Sequence, residues 1–176
     1  MNIKTLLPFI EAAVEVMKAD AGIIMQRGDL QVATTPYLTN DVTVIISMVG
    51  GVVGTVLYGM DEKTALNISS TILGETLTEF DSLAQSGVAE LGNVITGRAS
   101  VKLSRSGYET TISPPTLLLG RGAKISTLDL PRLIVPLIGS VGEINTHLAI
   151  KEDFSGRNFS APEIEIPNAP DLLSPE

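Results

Sequence analysis

Glu90 and Asn93 are the residues of this chain whose types and spacing point most directly to chemistry. On a helix, at about 100° per residue, Ala84, Val88, Leu91 and Ile95 gather on one side. Ser86, Glu90, Asn93 and Gly97 gather on roughly the opposite side. If the first stripe is core, the second faces solvent or a partner. Glu90 and Asn93 are then i,i+3 neighbours on one surface. A carboxamide accepts a hydrogen bond from water and donates another without adding charge, whereas a carboxylate offers a charged contact. Gly92 and Gly97 each cost about 1 kcal/mol relative to Ala inside a helix. That implies close approach of another surface or tight packing against a neighbouring helix. A Glu and an Asn three apart are also common on a solvated face, so the pair needs support from elsewhere in the chain.

Composition removes most competing chemistries. There is no Cys among the 176 residues, which excludes disulfides, thiolate metal sites and cysteine nucleophiles. The single His147 cannot build a His-rich metal site. It lies in the alternating stretch Ile144 to Ile150, sharing a face with Asn145 and Ala149, and reads as a strand residue. The net charge of −8 and the lack of Lys/Arg clusters argue against nucleic-acid binding. An apolar fraction of 44% against 18% charged residues predicts a folded body. With 4% aromatics and no Trp, its core must be aliphatic. Met1 to Lys18 carries no signal-peptide pattern, and a cytoplasmic location is expected. Val42 to Met60 is uncharged over a membrane-spanning length. Gly50-Gly51 at its centre and β-branched flanks predict a hairpin there instead of a membrane span.

The surrounding elements follow from local signals. Asn2 to Ala19 reads as an amphipathic helix with Leu6, Ile10, Val14 and Met17 at helical spacing, its regular part starting near Pro8. Gly22 to Thr35 predicts one or two short strands turned at Gly28-Asp29. The hairpin Val42–Met48 and Val52–Tyr58 follows. Asp61 is the expected N-cap of a helix from Glu62 to Leu73, stopped by Gly74. Asp81 or Ser82 opens a longer helix that runs to Arg105 or Ser106 and ends at Gly107. Strands are expected at Tyr108–Ile112, Thr116–Leu119, Leu133–Leu137 and Ile144–Ile150. Tight Gly-punctuated hairpins imply antiparallel pairing. The expected fold class is therefore α+β, with long helices packed on one face of an antiparallel sheet. Residues 1–153 form one domain in this reading, and 154–176 a flexible, acidic, Pro-rich tail.

The motif Ser86-x3-Glu90-x2-Asn93 resembles the active-site motif of the CheC/CheX/FliY phosphatase family. The match extends to Asp81-Ser-Leu-Ala before it and to Gly97 and Lys102-Leu103 after it. It continues through Ile112-Ser-Pro-Pro-Thr116 and the Gly120-Arg121-Gly122 turn. The resemblance covers roughly residues 1 to 152 and is densest from 81 to 122. CheC-type members carry the motif on two helices. Here the first helix offers Glu11-Ala-Ala-Val14, with Val where Asn is required, so the chain has one copy, as CheX does.

The resemblance implies a phosphatase acting on the aspartyl phosphate of a CheY-like response-regulator receiver domain. It also implies a homodimer joined through the sheet. In phosphoryl transfer a protein mainly positions the nucleophile and stabilises charge. Asn93 would orient the attacking water. Glu90, whose carboxylate is repelled by phosphate, would instead pair with the lysine of the receiver's active site. Gly97 is assigned to partner contact, and Ser86, at the edge of the motif, to partner contact or helix packing. No metal or cofactor is expected on this chain, the Mg²⁺ being supplied by the partner. The alternative is a non-catalytic adaptor that binds the receiver domain with the same face. Gly120-Arg121-Gly122 is too short for a phosphate-binding P-loop and reads as a turn.

Overall fold

The structure is a computed structural model that describes residues 2–127, 130–153 and 155. In chain order the elements are α1 (Ile3–Ala21), β1 (Gln26–Arg27), β2 (Gln31–Ala33), β3 (Tyr37–Leu38), β4 (Val42–Gly50) and β5 (Val52–Met60). They continue with α2 (Glu62–Leu73), α3 (Ser82–Arg105), β6 (Thr110–Ile112), β7 (Thr116–Leu119), β8 (Lys124–Ile125), β9 (Arg132–Gly139) and β10 (Gly142–Glu152). The segment 154–176, expected to be a tail, lies outside the described residues apart from Ser155.

Local chemistry places the helix ends. Asn2 caps α1 by accepting from the Lys4 amide at 3.0 Å, and Asp61 caps α2 through the Thr64 amide at 2.7 Å. Gly74, with φ +72°, closes α2 in the left-handed conformation that a side chain would resist. The expectation that regular helix begins near Pro8 is corrected: α1 starts at Ile3 and Pro8 lies inside it. Proline there removes only the bond to the Lys4 carbonyl. Lys4 sits in the exposed first turns, where water can take that carbonyl, while the proline ring is buried.

All strand pairs are antiparallel. The main sheet has the order β1-β9-β10-β5-β4-β6, with β2 also on β9 and β7 also on β4. The uncharged 42–60 stretch is the β4–β5 hairpin, paired from Val42↔Met60 to Met48↔Gly54. One sheet face is covered by the three helices. Val44, Ile46, Val56, Tyr58, Val135 and Leu148 meet Phe9, Val16, Ile68, Val88 and Ile95 there in one buried cluster. Scarce aromatics thus leave an aliphatic core, as composition requires. The other face is partly covered by a two-stranded β3–β8 ladder that the sequence did not announce. Its Tyr37 is buried and bonds through its hydroxyl to Thr43 Oγ1 at 3.1 Å.

Candidate active site

α3 positions the candidate site. Asp81 Oδ1 accepts from the amides of Leu83 and Ala84 at 3.1 and 3.0 Å, fixing where the helix starts. Gly107, with φ +87°, turns the chain away at its other end. Between them Ala84, Val88, Leu91, Ile95, Ala99 and Leu103 are buried against the sheet and the other helices. The inward register is locked by polar contacts as well. Thr96 Oγ1 donates to the Gly92 carbonyl at 2.8 Å and lies 2.9 Å from the buried Tyr58 hydroxyl. Burial pushes that phenol far above its usual range, so it stays protonated.

With that stripe inward, the helical period turns Ser86, Glu90, Asn93 and Gly97 outward. Ser86 and Glu90 are exposed, and Asn93 and Gly97 half-buried. The structure therefore brings the four sequence-selected residues onto one face. The Ser86 hydroxyl is spent on its own helix, donating to the Ser82 carbonyl at 2.8 Å. Glu90 and Asn93 have no side-chain hydrogen bond or ion pair among the described residues. Gly92 does not pack against a neighbouring helix, as its sequence context allowed. A Cβ there would lie 2.8 Å from Val44 Cγ1 and 3.3 Å from Tyr58, so this glycine seats the helix on the sheet. Gly97 is roomier: its Cβ would meet only Ile112 Cδ1, at 3.8 Å.

Beside Asn93 runs an open groove of about 640 Å³, lined by Asn93, Gly97, Arg98, Val101, Arg105 and Ile112 among others. Its far wall comes from α1, whose Glu11 and Glu15 hold Lys102 Nζ at 3.1 and 2.8 Å. Glu15 first and Glu11 second raise the lysine's pKa. Glu11, which heads the motif-like stretch on α1, is thus committed to an ion pair while Glu90 is not. Arg98, Val101 and Arg105 were not singled out from the sequence. At about 100° per residue Val101 and Arg105 fall on one side of Gly97, whereas Arg98 falls further round, close in phase to the buried Leu91, so helical phase points to the first two and not to Arg98.

The flanking motifs prove structural. Ser113 ties the diproline loop to β4: its amide donates to the Ser47 carbonyl at 2.9 Å, and its hydroxyl accepts from the Ser47 amide at 3.0 Å. Pro114 and Pro115, lacking N–H groups, sit where the chain steps from β6 to β7 along the β4 edge. The Gly120-Arg121-Gly122 segment is a turn, as expected. Arg121 makes a two-pronged contact to Asp41 at 2.9 and 2.8 Å, which lowers the Asp41 pKa. No group of three or more His, Asp or Glu side chains suited to a metal occurs among the described residues. No described helix is long and apolar enough to cross a membrane.

An antiparallel sheet backed by three helices, with an unengaged carboxylate and carboxamide on the outward face of the longest helix, defines an α+β domain whose candidate site is a helix surface. The family model described as chemotaxis phosphatase CheX matches residues 42–137. This chain belongs to the CheX family. A relative from Thermotoga maritima, the CheY-P phosphatase CheX, is 26% identical over 152 residues, covering 86% of this chain and 98% of that one. A CheC-like superfamily protein from a Shewanella species superimposes with a TM-score of 0.78 at 27% identity, covering 86% of this chain and 99% of that chain. CheX of Borrelia burgdorferi, crystallised with CheY, BeF3 and Mg²⁺, gives a TM-score of 0.69 at 30% identity, covering 84% and 97%. The α+β architecture expected from the sequence is the one these structures share.

Proposed function

We propose that this chain hydrolyses the aspartyl phosphate of a CheY-like receiver domain, with Asn93 orienting the attacking water and Glu90 holding the partner. The observation that carries this reading is an outward carboxamide that nothing in the described chain engages, one turn from an equally free carboxylate. Family membership and the activity of the Thermotoga relative support it.

An acyl phosphate is already reactive, so the enzyme needs chiefly to place water in line with the P–O bond that breaks. Asn93 Oδ1 accepts from the water while Nδ2 remains free to donate to a phosphoryl oxygen. The water oxygen bonds to phosphorus, the aspartate carboxylate leaves, and inorganic phosphate is released. Glu90 would repel the phosphoryl group, and in this reading it binds the receiver's active-site lysine instead. Mg²⁺ comes with the receiver, as the Borrelia complex of CheX, CheY, BeF3 and Mg²⁺ suggests, and screens the phosphoryl charge.

The same reading includes residues 1–153 as the catalytic domain, a cytoplasmic chemotaxis or other two-component pathway, and a homodimer joined through the sheet. Exposed apolar groups at the β1–β9 edge favour the dimer: Ile24 is 71%, Val32 65% and Ile138 49% exposed. Light scattering giving a monomer mass at micromolar concentration would remove it.

The decisive experiment follows phosphoryl loss from purified receiver domains at substoichiometric enzyme. Asn93→Ala should lower turnover on the order of 10²-fold or more while leaving receiver binding nearly intact. Glu90→Ala should weaken both. Full activity in Asn93→Ala would sink the mechanism, and binding without turnover by the native chain would make it an adaptor.

A further inference from the structure

α3 is electrically lopsided about Asn93. Glu90 is its sole acidic residue, and Arg98, Lys102 and Arg105 are its basic ones, all C-terminal to Asn93. Glu11 and Glu15 of α1 neutralise Lys102. Arg105 lies in the last turn, where any helix favours a cation. Arg98 has neither explanation. It is exposed in mid-helix, lines the groove that begins at Asn93, and forms no ion pair with the described residues. At 1.5 Å per residue, Glu90 stands about 4.5 Å from Asn93 along the axis and Arg98 about 7.5 Å on the other side. The chain as a whole carries −8, so this cation runs against the general sign.

Resting on the receiver-domain reading, we infer that Arg98, with Arg105 further out, binds acidic surface at the rim of the receiver's phosphorylation pocket and fixes the direction in which α3 lies across it. A pocket that holds Mg²⁺ does so with oxygen ligands, chiefly carboxylates, and the phosphoryl group adds further negative charge. A net-acidic protein approaching it needs local positive potential. With Glu90 against the partner's cation and Arg98 against its acidic rim, the productive polarity satisfies both charges. The reversed polarity sets like against like. Arg98 is therefore a positioning residue: it sets where Asn93 lands without touching the reacting atoms.

The test measures affinity for BeF3-loaded, Mg²⁺-bound receiver domain, so it does not depend on turnover. Arg98→Glu should weaken binding about 10-fold at low salt, and the difference should shrink as salt rises. In turnover assays the loss should fall on KM more than on kcat. Arg98→Lys should restore most of the affinity. Lys63→Glu makes the same charge change at an exposed position of α2, outside the groove, and should bind like the native chain. Native-like binding by Arg98→Glu, or an equal loss in Lys63→Glu, would overturn the inference. So would tighter binding by Arg98→Glu, which would mean that the groove holds the chain's own acidic 154–176 segment. Failure of the native chain to bind any receiver domain would remove this inference and the receiver reading together. Undiminished turnover in Asn93→Ala would remove only the water-orienting role.

Discussion

Two concentrations of polar side chains lie on opposite sides of the same sheet, and they differ in what is left over. On the side away from the helices, Arg132 and His147 are only 4% and 7% exposed. Arg132 Nε donates to His147 Nδ1 at 3.0 Å, and its Nη1 donates to the Thr35 carbonyl at 2.8 Å. The guanidinium stands 5.5 Å over the Tyr37 ring, whose centroid lies 4.7 Å from that of the His147 ring in a tilted, edge-type arrangement. Burial, and then the arginine's charge, push His147 down to about 4. Buried cations and displaced pKa values often mark active sites, but here the groups consume one another and join β3 to the sheet. On the helix side, the exposed Glu90 and the half-buried Asn93 have no side-chain partner among the described residues. Availability of the side chains separates the candidate site from the scaffold.

The sharpest way to break this contrast is to remove one residue from each cluster. Arg132→Met leaves the His147 nitrogen and the Thr35 carbonyl without their donor. Hydrogen bonds from a charged group contribute about 1.5–3 kcal/mol each, so a stability loss of about 3 kcal/mol or more is expected in urea unfolding. Turnover per folded molecule should hold. Asn93→Ala should do the reverse, losing turnover with an unchanged unfolding midpoint. If Arg132→Met lost turnover while still folded, the two clusters would be coupled and the division would fail.

His147 gives the next effect. Its folded pKa of about 4 lies below the ordinary 6.5, so between those values the unfolded chain binds the extra proton. Stability is then fully present above about pH 6.5 and is lost as pH falls toward 4, by on the order of 3 kcal/mol in all. His147→Gln should flatten the unfolding free energy across that window. A slope unchanged by the substitution would show that the imidazole is not held neutral by its burial against Arg132.

The contrast also explains what the sequence disclosed. Asp61, Gly74, Asp81 and Gly107 act within a turn of their own positions, so the helix limits were legible. Gly50-Gly51 marked the β4–β5 hairpin for the same reason. The outward phase of Ser86, Glu90, Asn93 and Gly97 followed from the period of α3 alone. Whether those groups were free did not, because that depends on distant partners. Lys102 takes Glu11 from 91 residues away, and Arg132 reaches Thr35 across 97. The β3–β8 ladder pairs two residues with two, too short for any alternation to show. Nor could Gly92 and Gly97 be told apart by composition, although the sheet closes over one and the groove opens beside the other.

That last pair yields the smallest effects and the finest test of the two faces of α3. Both glycines sacrifice about 1 kcal/mol of helix propensity relative to Ala. At Gly92 a methyl group would press on Val44 Cγ1 at 2.8 Å, and overpacking costs about 1–3 kcal/mol. Gly92→Ala should therefore be neutral to about 2 kcal/mol less stable. At Gly97 the new Cβ would make ordinary contact with Ile112 at 3.8 Å, so Gly97→Ala should recover up to about 1 kcal/mol of stability. Its methyl would then stand in the groove beside Asn93, and affinity for the receiver domain should fall severalfold. Thermal unfolding and receiver titration on the same samples read both quantities. A Gly97→Ala chain that is more stable and binds as well as the native one would place the contact surface elsewhere. In that case the outward face of α3 would lose its claim as the docking face, because a methyl group set in the groove beside Asn93 would have proved without effect.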